Sequence, residues 1–125
     1  MCIRDSIRAT IEAVAYQTYD LFEAMRHDGL RPKIVKVDGG MVMNNWFSQF
    51  LSDIVNVKDL RPRVQETTAA GAAFMAGLKI GVYKSLKDIS KSWQIDRKFS
   101  PKMNSRKRNI LIKGWSKAVK RALIN

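Results

Sequence analysis

The chain has 125 residues, of which 46% are hydrophobic and 27% are charged, a composition typical of a folded domain and not of a disordered chain. No run approaches the about 18 apolar residues of a membrane span, and the N-terminus lacks the order of a secretion signal. We therefore expect a cytoplasmic protein. The single cysteine, Cys2, excludes an internal disulfide framework and a multi-cysteine metal site.

The net charge of +12 is concentrated at one end of the chain. Residues 84–125 hold 13 Lys and Arg against 2 Asp and Glu, whereas residues 1–83 hold 10 against 9. Such a basic segment is compatible with a module that binds nucleic acid or an acidic partner. No recognition motif accompanies it, so we favour a solvated helix face and treat nucleic acid as the less favoured partner.

The first predicted element is a helix of about five turns that starts at Ile7 and ends at Gly29, because apolar residues recur there at helical spacing and Pro32 lies just beyond. Residues 1–6 fit nothing around them. We interpret them as a scar, meaning residues left over from the design of the expressed sequence or from sequence assembly, and leave them out of the fold prediction.

Residues 33–47 combine a short strand, two glycines and the beginning of an amphipathic helix. The strand covers Ile34–Val37, Gly39 and Gly40 form the turn, and the helix that follows is closed by Asn56. Free backbone N–H groups and the positive end of a helix meet at such a turn, so phosphates and nucleotides bind there.

The remaining elements predict only one further strand. It covers residues 57–60 and is stopped by Arg61-Pro62. A helix over 66–78 is rich in small residues and contains Gly77, which predicts close packing on another element or on a ligand. A short helix or turn over 85–93, an extended polar connection beginning at Phe99, and a basic helix over about 105–123 complete the chain.

The strand–helix–strand order predicts an α/β fold with parallel strands and flanking helices. Two strands are marginal alone, and parallel sheets are normally larger and covered on both faces. We therefore expect this chain to be part of a larger α/β domain whose other strands lie elsewhere.

Several sequence segments, in the same order along the chain, carry a family resemblance. The strand and paired glycines of residues 35–40 resemble the adenosine motif of the actin-like ATPase superfamily. The spacing of Asn44, Asn45, Gln49 and Asp53, the Arg61-Pro62-x-Val64 segment, and the small-residue run 68–81 resemble the FGGY family of carbohydrate kinases. The first helix and the residues 114–122 match the same family, so the resemblance covers residues 7–124.

The resemblance implies part of the C-terminal RNase H-like domain of a two-domain kinase, with residues 7–125 on its adenosine-binding side. It implies ATP and Mg²⁺ as cofactors, a homo-oligomeric parent, and phosphorylation of glycerol to glycerol 3-phosphate; another polyol or a sugar such as a pentulose stays open. By the family pattern, Gly40 brings its main chain against the nucleotide and Asn44 points its carboxamide toward the adenine. Gly40 could instead be only a turn residue, and Asn44 only a helix cap.

The resemblance also implies what this chain lacks. The family's catalytic aspartate, phosphate loops and glycerol pocket all precede the matched region. We give Asp38, which we expect to anchor the glycine turn, and Asp53, which we expect on the polar side of its helix, no catalytic role. The chain alone, without the N-terminal domain, is therefore predicted to be inactive.

Overall fold

The computed structural model describes residues 2–124, so Met1 of the predicted scar and the terminal Asn125 lie outside the described residues. Within them the elements follow in the order α1 (Ile3–His27), β1 (Ile34–Lys36), a 3-10 turn (Gly40–Met43), α2 (Asn45–Val55), β2 (Lys58–Pro62), α3 (Thr67–Lys79), α4 (Leu86–Lys91), β3 (Ile95–Phe99) and α5 (Ser105–Leu123).

The described strands form one sheet in the order β1-β2-β3. β1 and β2 are parallel, as predicted, with Ile34 opposite Lys58. β2 and β3 are antiparallel, with Asp59 opposite Phe99. The strand β3 was not predicted, and Phe99 ends it instead of beginning an extended connection.

The predicted end of β2 was also wrong. The strand does not stop before Arg61-Pro62 but runs through both residues, and the register with β3 is irregular between them. A proline is tolerated in this place because it lies at the end of the strand, beside the irregularity.

The core lies where α1 and α2 pack together against the sheet. The ring of Tyr16 in α1 meets Phe50 of α2 edge-on, with centroids 5.7 Å apart. The wide apolar face predicted for α2 is confirmed, since most of that helix is buried. The buried apolar residues of this cluster are Ala15, Tyr16, Phe22, Val42, Phe47, Phe50, Leu51, Ile54, Val55 and Val57.

The predicted helix ends are confirmed at two places. α1 ends at His27, and Gly29 follows with a left-handed φ of 86° while Leu30 N–H donates to the Met25 carbonyl. Asn56 closes α2 with a φ of 56°. At its other end α1 includes residues 3–6 without a break, and the interpretation of residues 1–6 as a scar stays a prediction.

The helices α3 and α5 are more exposed than α1 and α2. Gly77 is buried because the Tyr83 ring lies against it, 2.9 Å from where a Cβ would stand, which confirms the predicted close packing on a neighbour. α5 has no buried residue, and Trp115 stacks on Tyr16 with ring centroids 5.5 Å apart. None of the helices in residues 2–124 is long and apolar enough to cross a membrane.

Candidate functional site

The turn between β1 and α2 lies at the carboxyl end of the parallel strand pair. We call residues 39–43 the glycine turn. It begins at Gly39, whose φ of 87° favours glycine, and its N–H donates to the Gln65 carbonyl at 3.3 Å. The Thr67 hydroxyl donates to the carboxylate of Asp38, so Asp38 ties the start of the turn to the first residue of α3.

Gly40 is exposed, and its backbone lies outside the left-handed region. No described atom lies within 4 Å of the place where its Cβ would stand, its two chain neighbours aside. The fold of this chain therefore does not itself require glycine at position 40. What the missing Cβ provides is an open patch of backbone at the surface.

Asn44 caps α2. Its Oδ1 accepts hydrogen bonds from the backbone N–H groups of Trp46, at 3.0 Å, and Phe47, at 3.3 Å. The Nδ2 amide of this exposed side chain donates to no atom of residues 2–124. The helix cap therefore uses one end of the carboxamide and leaves two donor hydrogens for a ligand.

Apolar side chains flank this free amide in the sequence. Met41, Met43 and Trp46 expose 47%, 52% and 42% of their surface. The Trp46 ring stacks on Phe50, with centroids 5.0 Å apart and an interplanar angle of 10°. Apolar surface with a few oriented polar groups is typical of sites for small organic ligands.

The carbonyl side of the glycine turn is bound by a buried arginine. Arg61 of β2 is only 5% exposed, and its Nη1 donates to the carbonyls of Val42, at 2.8 Å, and Met43, at 3.3 Å. Its Nε donates to Asp96 of β3 at 2.8 Å. From the sequence, Arg61 was only a strand end and part of a family motif, with no role in the site, because its partners lie 16 to 35 residues away in the chain.

A second buried ionisable group follows the same strand. Asp59 is 0% exposed, and both of its carboxylate oxygens lack a hydrogen-bond partner in the part of the chain that the structure describes. Burial raises the pKa of the Asp59 carboxyl to about 6, against a smaller lowering by the Arg61 charge. Asp59 is therefore a source of pH-dependent stability.

The sequence predicted Asp53 on the polar, solvent-facing side of α2, but the structure buries it. It is 8% exposed, and its Oδ1 accepts from the backbone N–H groups of Lys102, at 2.6 Å, and Met103, at 3.0 Å. The prediction was wrong because the connection to α5 folds over this part of α2. The contacts of Asp53 are structural ones that attach the segment before α5.

A cavity of about 180 Å³ lies between α3 and the segment before β3. It is mostly apolar and includes Thr67, Gly71, Phe74 and Trp93 in its lining, but neither Gly40 nor Asn44. The small side chains of α3 leave this space. No group of three or more His, Cys, Asp or Glu side chains that could hold a metal ion occurs among residues 2–124.

Comparison with known proteins identifies the family. The profile of the FGGY family of carbohydrate kinases, C-terminal domain, matches residues 4–80. The chain belongs to the FGGY family. Its fold is that of the actin-like ATPases, as the resemblance implied, and β3 adds an antiparallel strand to the predicted parallel pair.

Several relatives of the FGGY chain are glycerol kinases. Those of Gluconobacter oxydans (strain 621H) and Thermoanaerobacter pseudethanolicus (strain ATCC 33223 / 39E) are each 52% identical, over 117 and 118 residues that cover 93% and 94% of this chain. The same stretches are 23% and 24% of the relatives' own length. The chain therefore spans about a quarter of these curated relatives.

Solved structures agree with this assignment. A glycerol kinase of Plasmodium falciparum, solved with ADP, superposes with a TM-score of 0.79 and 36% identity over 95% of this chain and 24% of its own. A ligand-bound xylulose kinase from Lactobacillus acidophilus gives a TM-score of 0.72 at 22% identity, over 93% of this chain and 24% of its own. The second match supports the fold alone.

Proposed function

We propose that this chain is the nucleotide-binding, C-terminal part of a glycerol kinase, which transfers the γ-phosphate of ATP to glycerol and yields glycerol 3-phosphate. Two findings support glycerol over a pentulose. The relatives that are about half identical to this chain are glycerol kinases, whereas the xylulose kinase shares only 22% of its residues.

The observation that carries the nucleotide role is that the two ends of the Asn44 carboxamide differ: one caps the helix and the other is free within the described residues. Its Oδ1 is occupied by the helix cap, so the group offered to a ligand is the Nδ2 amide, a pure donor. Adenine presents ring nitrogens as acceptors, which match such a donor. Gly40, four residues earlier, would let the nucleotide approach bare backbone.

The described residues fit a nucleotide but not its metal. No carboxylate cluster accompanies the glycine turn, so Mg²⁺ would be held by the phosphates and by the rest of the enzyme. The catalytic base and glycerol pocket would come from the same missing regions, which include the N-terminal domain. A cytoplasmic location and a homo-oligomeric parent stay predictions.

The test uses a complete enzyme. In it, residues 7–123 of this chain replace the matching part of the Gluconobacter oxydans glycerol kinase; we call this enzyme the chimera. Asn44→Asp keeps the capping oxygen but replaces the free donor with an acceptor. We expect the half-saturating ATP concentration to rise roughly tenfold, with glycerol saturation unchanged.

A matched control is available in α5. Asn104 caps that helix in the same way, through Oδ1 and the Arg106 N–H at 2.7 Å. We expect Asn104→Asp to leave ATP saturation unchanged. An unchanged half-saturating ATP concentration in the Asn44→Asp chimera would overturn the adenine role of Asn44. A chimera that phosphorylates a pentulose but not glycerol would overturn the assignment of glycerol as the substrate.

The basic end of the chain supports the second candidate function. α5 contains no Asp or Glu, and its exposed cations include Arg106, Lys113, Lys117 and Lys120. If this face binds nucleic acid or an acidic partner, affinity should fall steeply with salt. ATP binding that is lost on Asn44→Ala and persists in high salt would favour the kinase.

A further inference from the structure

The carbonyl groups of the glycine turn depend on a donor from another strand. Nη1 of Arg61 donates to the Val42 carbonyl at 2.8 Å, the Met43 carbonyl at 3.3 Å and the Asn45 Oδ1 at 3.0 Å. All three acceptors lie within the turn or one residue after Asn44. One guanidinium nitrogen therefore contacts both sides of the residue proposed to meet adenine.

The opposite side of the same guanidinium is fixed by β3. The Nε and Nη2 nitrogens of Arg61 lie 2.8 Å and 2.7 Å from the same oxygen of Asp96, and the guanidinium lies 5.6 Å from the centre of the Phe99 ring. A buried charge is costly unless it is paired and hydrogen-bonded. Asp96 meets that requirement and holds the planar guanidinium in one orientation.

The turn has a second, weaker attachment. The buried Ser48 hydroxyl donates to the Val42 carbonyl at 3.0 Å. Because the 3-10 turn is short, the Val42 and Met43 carbonyls lack the partners that a continued helix would supply. Arg61 supplies a donor to both; without it the Val42 carbonyl would keep only the Ser48 hydroxyl, and the Met43 carbonyl would lose the Arg61 hydrogen bond.

We infer that Arg61 is a positioning residue for the nucleotide: its contacts with the glycine turn and Asn45 set the position of the Gly40 backbone and the Asn44 amide. This inference rests on the proposed function. Arg61 itself is buried and does not need to touch the nucleotide. Its loss should therefore weaken nucleotide binding and leave the polyol pocket, which we expect outside this chain, unaffected.

The test compares conservative variants in the chimera. Arg61→Lys keeps the positive charge but loses the planar fork, so that it cannot bind Asp96 and the turn together. We expect the half-saturating ATP concentration to rise roughly tenfold and the half-saturating glycerol concentration to stay within about twofold. Asp96→Asn, which keeps an acceptor oxygen, should give a smaller change in the same direction.

Arg63→Lys is the matched control. Arg63 follows β2, is exposed, and donates to Gln94 at 3.3 Å instead of to the glycine turn. We expect it to leave both substrates unchanged. Hydrogen exchange of the backbone amides of residues 40–47, measured without nucleotide, should quicken in Arg61→Lys and not in Arg63→Lys.

Two failures can be told apart. If the unmodified chimera does not bind ATP, the proposed function fails, and the role of Arg61 fails with it. Suppose the chimera binds ATP, but Arg61→Lys leaves the half-saturating ATP concentration unchanged, or raises the half-saturating ATP and glycerol concentrations equally. Then only the positioning role is overturned. Faster exchange at residues 40–47 with unchanged ATP saturation would likewise reduce Arg61 to a structural residue.

Discussion

At the scale of single residues, the two adjacent glycines of the turn have different reasons to be glycine. Gly39 has a φ of 87°, which a side chain would strain, whereas Gly40 has ordinary backbone and open space around it. The first is required by the fold, and the second is free to serve a ligand.

We therefore expect Gly39→Val and Gly40→Val to separate stability from binding. Gly39→Val should destabilise the chain by about 1–3 kcal/mol, because the left-handed backbone is strained by a branched side chain. Gly40→Val should leave thermal unfolding nearly unchanged and raise the half-saturating ATP concentration of the chimera roughly tenfold. Thermal unfolding and ATP titration of both variants check this, and unchanged ATP affinity in Gly40→Val would contradict it.

Asp59 predicts a pH dependence of stability. Burial raises the folded-state pKa of the Asp59 carboxyl from its ordinary value of 3.8 to about 6, so between these pH values the folded chain keeps a proton that the unfolded chain releases. Stability should therefore fall as the pH rises from about 4 to above 6, by an amount on the order of 3 kcal/mol if the whole shift is realised. Below the unfolded-state pKa, the group contributes no difference.

Asp59→Asn tests this because it keeps the shape and removes the ionisation. We expect a higher unfolding temperature than the original chain at pH 8, and a difference that shrinks toward pH 4. The exposed Asp5, substituted in the same way, is the control and should leave the pH profile unchanged. A parallel offset between Asp59→Asn and the original chain at every pH would show that ionisation is not the cause.

At the scale of elements, α5 docks through half-buried apolar side chains, and Leu111 and Trp115 pack against the core cluster. α5 has no buried residue, and Trp115 both stacks on Tyr16 and donates from Nε1 to Asp20 at 2.7 Å. The many Lys and Arg residues of α5 are the cleavage sites that trypsin would use once the helix detaches.

We expect Trp115→Ala to weaken the docking by about 2 kcal/mol and to speed tryptic cleavage between residues 105 and 121. Trp93→Ala is the control, because Trp93 lies outside the contact between α1 and α5 and meets Lys36 instead, at 4.1 Å from the ring centre. Equal cleavage rates in α5 for both variants would show that other contacts hold the helix.

The sequence predicted the elements whose signals are local. Gly29 and Asn56 end helices by their own backbone preferences, and the apolar face of α2 repeats within one helix. β3 carries Asp96, Arg97 and Lys98 in succession, so it lacks an apolar alternation and is defined by its pairing with β2. Periodicity within a segment cannot report such long-range pairing.

The same limit applies to the candidate site. Gly40 and Asn44 could be proposed because a short motif contains both residues. Asp53 was misplaced because its backbone donors lie 49 and 50 residues later in the chain. Arg61 was missed because its contacts with the turn and with Asp96 join three separate elements, and a single sequence does not show which elements come together.

At the scale of the whole molecule, the chain is one part of the larger enzyme that we propose. It spans about a quarter of its curated relatives, and β1, at the edge of the sheet, pairs with β2 on one side only within the described residues. Phosphoryl transfer needs the nucleotide, the metal and the acceptor hydroxyl to be positioned together.

We therefore expect the purified 125-residue chain to form no glycerol 3-phosphate above background, while the chimera does so. A coupled assay for glycerol 3-phosphate, run on both proteins at the same molar concentration, checks this. Robust turnover by the isolated chain would contradict the proposal that the catalytic base lies outside it. A carboxylate within the chain would then have to act as the base.

The contact between Arg61 and Asp96 also has a consequence for biosynthesis. Arg61 is translated 35 residues before Asp96, the partner that fixes its guanidinium, and the glycine turn is translated earlier still. A nascent chain that ends before β3 thus has the glycine turn and Arg61 but not the carboxylate that pairs with the guanidinium. A premature stop before β3 would therefore leave the Arg61 charge without its Asp96 partner although the whole glycine motif had been translated.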